Sequence, residues 1–307
     1  MSSPNVVDPA KGGVFIGDLF KRVLTMKLVI TGAQGQLGLA FARKLERKGI
    51  SFWGCDYTAC DITKKEQVVQ MLDAQKPSVL INCAAYNFVD DAENNRMAAF
   101  AVNSDAVRIL GDACQARGIK LVHYSSDYVF DGKKGSLYIE EDTANPLNVY
   151  GHSKYEGEKA LRMIGAHHLV LRTSWVYGRG QQNFLYKVSQ WVKKSEVLKI
   201  SVDEISVPTF VDDIVSVTLK ALDKGMTGLY HLTSSGYASR YEWVKTFITA
   251  AGLSKQVTPQ PMSSFSLKAQ RPLFSAMSNC KISKELGIQI PNWQEGVEKY
   301  VRSMEGK

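Results

Sequence analysis

The stretch KLVITGAQGQLGLAFARKLERKG, residues 27–49, constrains the fold of this chain more than any other. KLVI is a short apolar run of the kind a strand buried on both faces of a parallel sheet requires. Gly32, Gly35 and Gly38 follow at G-x-x-G-x-x-G spacing. Leu39, Phe41, Ala42 and Leu45 then share one face of a helix that ends at Gly49. Strand, glycine turn and helix, in that order, form the context of a dinucleotide site. Glycine closes the turn tightly and lets backbone N–H groups approach a pyrophosphate, and the helix N-terminus adds partial positive charge. Gln36 and Leu37, lying between the glycines, belong to the same candidate cofactor set. A glycine-rich turn without a ligand is the competing reading.

The alternation continues along the chain. ISFWGCD (50–56) is a second strand ending in Asp56, where a carboxylate can accept hydrogen bonds from ribose hydroxyls and repel the extra phosphate of NADP. Asp61, in CDIT with Ile62, opens the next helical segment and reads either as its N-cap or as part of the cofactor site. SVLINCAAY (78–86) is a third strand whose small residues Ala84 and Ala85, before Tyr86, let a backbone approach a cofactor. Residues 91–117 are helical in pattern, with Asn103 in their middle. Residues 119–130, 167–178 and 228–234 read as further strands. This pattern predicts an α/β fold with a doubly wound parallel sheet.

The net charge of +8 comes from 38 basic and 30 acidic residues that are spread along the chain, not gathered in a block. That distribution argues against nucleic acid and suits a small anionic substrate such as a nucleotide diphosphate. No apolar run is long enough to span a bilayer. The five cysteines are scattered, with no Cys-x-x-Cys pair and no histidine cluster, so they read as reduced thiols of a cytoplasmic protein and not as a metal site. Residues 1–25 lack the layout of a secretory signal and read as a leader outside the catalytic fold, with a short docking helix as the alternative.

YGHSKYEGE begins at Tyr150 and starts a helix, so Tyr150 and Lys154 share one face. Ser126 ends the preceding strand, and ligands of a doubly wound sheet gather at such strand ends. A hydroxyl, a phenol and an ammonium there make a proton-donating set. Bringing a phenol from a pKa of about 10 to about 7 takes about 4 kcal/mol. An ammonium about 4 Å away, at an effective dielectric near 20, supplies roughly that much.

GAQGQLG (32–38), NCAAY (82–86), SSDYVFDG (125–132), YGHSKYEGE (150–158), RTSWVYG (172–178), VPTFVDDI (207–214) and RPLFS (271–275) together resemble the extended short-chain dehydrogenase/reductase family. The resemblance runs from Met26 onward and is nearest to the branch that reduces nucleotide-linked keto-sugars. It implies a Rossmann-like cofactor domain at 26–179, with 212–234 returning to it. It also implies a smaller C-terminal substrate domain built from 180–211 and 235–307. The implied reaction is NADPH- or NADH-dependent reduction of the 4-keto group of a dTDP-4-dehydro-6-deoxyhexose, dTDP-4-dehydrorhamnose to dTDP-L-rhamnose.

The resemblance assigns Tyr150 as the proton donor. It assigns Lys154 to the nicotinamide ribose and to lowering the phenol's pKa, and Ser126 to the substrate carbonyl. Ser126 replaces the family's usual threonine. Asn103 matches an asparagine that supports the proton path, and reads equally as a buried amide bonded to backbone. Asp127, Tyr128 and Trp175 match sugar-contacting positions, and Trp175 reads equally as core. Asn183 and Arg271 are candidates for the nucleotide diphosphate. Some relatives hold magnesium between subunits through a glutamate two residues beyond the last turn glycine. Here that residue is Ala40, which offers no ligand atom, so the expectation is no metal, with a homodimer left open. Two alternatives stay open: another nucleotide-sugar epimerase or reductase, and a non-catalytic NAD(P)-binding regulatory subunit. Asp127-Tyr128, where dehydratases carry Asp-Glu, argues against elimination chemistry.

Overall fold

The computed structural model describes residues 21–165 and 167–304. Most of the expected leader, residues 1–20, lies outside the described residues. Its end does not stand apart from the fold. α1 (Lys21–Leu24) is seated by Asp223, whose carboxylate accepts from the Arg22 and Val23 backbone N–H groups at 2.9 and 3.3 Å. Val23 is fully buried in the main core. An apolar side chain in the last turn before the first strand makes this contact.

β1 (Leu28–Thr31), α2 (Gln36–Arg47), β2 (Phe52–Cys55), α3 (Lys65–Gln75) and β3 (Val79–Asn82) follow the expected alternation. The helical segment expected over 91–117 comprises α4 (Val89–Ala92), α5 (Arg96–Phe100) and α6 (Ala106–Gln115). A π-helical turn, Ala101–Asp105, joins the last two. Such a turn inserts an extra residue and often marks a functional site. Here it carries Asn103. β4 (Lys120–Ser126) ends in a 3₁₀ turn, Asp127–Val129. α7 (Val149–Ile164) starts where Asn148 Oδ1 accepts from the Gly151 N–H at 2.8 Å. β5 (His168–Thr173) completes this half.

Beyond it come β6 (Val176–Tyr177), α8 (Phe184–Lys194), β7 (Val197–Ser201), β8 (Ile205–Ser206) and β9 (Thr209–Phe210). α9 (Val211–Lys224) and β10 (Gly228–His231) return to the sheet. β11 (Ala238–Ser239), α10 (Arg240–Ala250), β12 (Gln256–Gln260), α11 (Cys280–Leu286) and α12 (Trp293–Met304) end the chain. β11, β12 and a long irregular stretch before α11 separate the helices that follow Gly236.

Six strands form one parallel sheet in the order β10-β5-β4-β3-β1-β2. The chain leaves β1 toward β2 on one side and returns to β3 on the other, so the switch point lies at the carboxyl ends of β1 and β3. LVIT of β1 and VLIN of β3 are buried throughout, as a sheet covered on both faces demands. One core packs α2 and α9 against the sheet, and the other packs α3 and α6. A third cluster, around Tyr177, Phe210, Trp243, Phe247 and Tyr300, forms a second lobe from β6–β9, α8, α10 and α12. α11 does not join that lobe. Ile282 lies in the main core, and the Tyr230 hydroxyl donates to Glu285 at 2.7 Å. The C-terminal residues therefore divide between the two lobes. Among the described residues no helix is long and apolar enough to cross a membrane.

Candidate active site

The glycine turn is shaped by contacts that a side chain would destroy. Gly32 has φ +67°, and a Cβ on it would stand 2.6 Å from the Ala84 backbone nitrogen. A Cβ on Gly38 would stand 2.5 Å from the Gly32 carbonyl oxygen. Gly35 donates its N–H to that same oxygen at 3.0 Å and precedes α2 in extended conformation, with no side-chain cap. The first N–H groups of α2, from Gln36, Leu37 and Gly38, have no intrahelical acceptor. Gln36 Oε1 is buried without a hydrogen-bond partner. A close-packed backbone cradle, orphan donors and a helix N-terminus fit a dinucleotide pyrophosphate.

The flanking candidates are near the turn but are used in ways the sequence did not indicate. The Ala33 N–H donates to the Cys55 carbonyl at 2.9 Å, which brings Asp56 beside the turn. Thr58 donates its hydroxyl and N–H to Asp56 Oδ1 at 2.7 and 3.0 Å, and these bonds hold the carboxyl below its usual range. Asp61 does not cap α3. Its Oδ1 accepts from Thr63 N–H and hydroxyl at 3.0 and 2.7 Å, while the N-cap of α3 is Lys64. A short Asx turn satisfies Asp61 locally before the helix begins. Ile62 is buried in the α3–α6 core, and Ala84 packs partly against it. Ala85 follows in the same loop, and Tyr86 donates its phenol to Asp91. Asn103 is the buried, backbone-bonding amide. Its Oδ1 accepts from Tyr86 N–H at 2.9 Å, and its Nδ2 donates to the Tyr86 carbonyl and Ser153 Oγ, both at 3.0 Å. It ties the β3 exit loop to α7.

Tyr150 and Lys154 lie on the first turns of α7, and Ser126 closes β4, so the three meet at the strand ends. Burial pushes Tyr150 up to about 12, the adjacent Ser126 hydroxyl pulls it back and Asp127 pushes it further. The Lys154 ammonium donates to the Tyr124 carbonyl at 2.6 Å and not to the phenol. Burial brings Lys154 down to about 8, opposed by Glu158. Ser126 accepts from the Tyr128 N–H and donates to Asp127 Oδ1, each at 3.1 Å.

The opposite wall is a polar network. Asp127 is 2 % exposed, and burial raises its carboxyl to about 6. Tyr128 packs edge-on to Tyr150, with ring centroids 5.8 Å apart, and donates to Glu204 at 3.3 Å. Arg271 lies over the Tyr128 ring at 5.8 Å, but its guanidinium pairs with Asp90 at 2.6 Å. Trp175 has φ +41°, a costly backbone for a bulky residue. Its ring stacks on Trp243, and Arg240 sits 3.7 Å from its centroid. Asn183 is buried and bonded within its own loop. Its Oδ1 caps α8 through Tyr186 N–H, and both Nδ2 protons go to the Gly178 and Gly180 carbonyls at 2.8 and 2.9 Å. No amide donor remains for a phosphate.

Residues 26–305 match the family described as the RmlD substrate binding domain. The dTDP-4-dehydrorhamnose reductase of Burkholderia thailandensis is 36% identical over 91% of this chain and 99% of its own length. The chain belongs to the RmlD substrate binding domain family. With it comes membership of the extended short-chain dehydrogenase/reductases. Two solved structures agree. A dTDP-4-dehydrorhamnose reductase from Clostridium acetobutylicum superposes with a TM-score of 0.88 at 32% identity, covering 91% of this chain and 100% of that one. One from Bacillus anthracis, in complex with NADP, gives 0.87 at 33%, covering 91% and 99%.

Sequence reasoning passed over Glu158 and Arg172, although both lie in the stretches that resemble the family. The signals were an arginine inside the apolar strand LVLRT and a glutamate one helical turn beyond Lys154. The two form a buried bidentate pair at 2.9 and 2.6 Å, joining α7 to β5. Glu204 and Arg240 carried no local signal, because their roles depend on partners far along the chain.

Proposed function

We propose that the protein is an NAD(P)H-dependent reductase that converts dTDP-4-dehydrorhamnose to dTDP-L-rhamnose. The observation that carries this reading is the convergence of Ser126, Tyr150 and Lys154 at the strand ends beside the glycine turn, in a chain whose relatives bear that activity by name. A reduced nicotinamide bound at the turn supplies the hydride. The residues manage position and protons. Ser126 holds the carbonyl end of the sugar beside the phenol. Tyr150, a phenol that is protonated at neutral pH, gives its proton to the carbonyl oxygen as that oxygen gains negative charge. The Lys154 ammonium, one helical turn away, stabilises the phenolate left behind. Loss of NADPH absorbance with the enzymatically made keto-sugar, and NMR of the product, tests the activity and the configuration at C4. No turnover with either nicotinamide would overturn it.

The same reading predicts a pH dependence. Lys154 is held at about 8, so its charge is present below that value and lost above it. Reductive kcat/KM is expected to fall as pH rises through about 8. A profile flat to pH 10 would show that the Lys154 charge does not matter.

Cofactor preference is expected to be modest. Asp56 favours NADH by accepting from the ribose, and a relative has been seen with NADP. Asp56→Ala is expected to shift the kcat/KM ratio toward NADPH. An unchanged ratio would remove Asp56 from the ribose. The reading also includes a cytoplasmic homodimer, which sedimentation tests.

A further inference from the structure

We propose that Asp127 is a positioning residue whose carboxylate fastens the wall formed by residues 204–206 and 271–275 to the strand end that carries Ser126. Its Oδ1 accepts from Ser126 Oγ at 3.1 Å. Its Oδ2 accepts from Ser206 Oγ at 2.8 Å and Ser275 Oγ at 2.6 Å. Three hydroxyls from three separate segments thus converge on one buried carboxylate. A carboxylate has about four acceptor sites, and three are in use. At 2 % exposure Asp127 presents almost no surface to solvent.

The two wall segments are joined by backbone hydrogen bonds. The Ile205 N–H donates to the Leu273 carbonyl at 2.7 Å, and the Ser275 N–H donates to the Ile205 carbonyl at 2.9 Å. A second fastening lies beside the first, where the Tyr128 hydroxyl donates to Glu204. β8 pairs with β11, whose Ser239 caps α10, so the position of the wall is passed into the second lobe. Ser126 Oγ lies within hydrogen-bond distance of Asp127 Oδ1, so the carboxylate that holds the wall also positions the side chain beside Tyr150. The glycine turn is held by other bonds and stands apart from this junction.

The kinetic arm of the test rests on the proposed reductase reading, while the exchange arm does not. In the full chain with NADPH, the Ser206→Ala/Ser275→Ala double variant and Asp127→Asn are compared with the parent. Hydrogen exchange of the Ile205 and Ser275 amides is expected to quicken about tenfold in both, the scale of a lost charge-assisted bond. KM for dTDP-4-dehydrorhamnose is expected to rise about tenfold in the double variant, more than kcat falls, with NADPH affinity unchanged. Unchanged exchange in the double variant overturns the proposal. So does a KM increase in Asp127→Asn that the double variant lacks, because Asp127 then touches the sugar itself. If Asp127→Asn does not fold, the serine pair carries the test. A parent without turnover refutes the reductase reading, and the exchange rates still decide the role of Asp127.

Discussion

Tyr150→Phe is expected to lower turnover by roughly 10²–10⁴, the usual worth of a positioned proton donor, while NADPH affinity stays within a few-fold. The substitution removes one hydroxyl and keeps the ring. The edge-on contact with Tyr128 therefore survives, and the wall beyond it is undisturbed. The cofactor cradle at Gly32–Gly38 has no part in the change. Lys154→Met should be at least as damaging and should also weaken cofactor binding. Ser126→Ala should cost less, because it removes a polarising hydroxyl and no transferable proton, and Ser126→Thr should be tolerated. Steady-state kinetics beside equilibrium NADPH titration separate these effects. Near-parental turnover in folded Tyr150→Phe would revive the regulatory-subunit reading.

Glu158→Gln is expected to destabilise the protein by about 3–5 kcal/mol, the range for breaking a buried ion pair from one side. Glu158 and Arg172 are each 2 % exposed at the side chain and bonded through both carboxylate oxygens. Removing the charge of one strands the other. Arg172 has poor alternatives. It reaches His231 Nε2 at 3.4 Å and lies over the Phe130 ring at 5.0 Å. Burial and that guanidinium push His231 down to about 3, and an imidazole carries no negative charge in either state, so it offers Arg172 no counter-ion. Replacing the pair together, as Glu158→Leu with Arg172→Met, should recover much of the loss, because no lone charge remains. Urea unfolding of the three variants checks this. A loss under 1 kcal/mol for Glu158→Gln would mean that water reaches the pair. Because Glu158 shares α7 with Tyr150 and Lys154, the pair also anchors the catalytic helix to β5.

Much of the fold was legible in short stretches. The glycine turn, the apolar strands and the shared face of Tyr150 and Lys154 depend on neighbours within one or two turns, and spacing encodes them directly. The π-helical turn inside the helical segment 91–117 was not legible, for the complementary reason. Asn103 draws its backbone into a π-helical turn to reach Tyr86 and Ser153, and Ser153 lies 50 residues away.

The sequence by itself determined the sheet, the cofactor turn, the proton-donating set and, through its motifs, the family. Only the tertiary structure decided what the polar side chains do. It turned Lys154 toward the Tyr124 carbonyl, spent Asn183 on a helix cap, set Val23 and Ile282 in the main core, and aimed Ser206 and Ser275 at Asp127 across 79 and 148 residues of chain. The reason is physical. A glycine's φ or a helix face is a property of adjacent residues. A buried carboxylate takes whichever donors the closed fold brings to it, and its pKa follows from the desolvation that closure imposes.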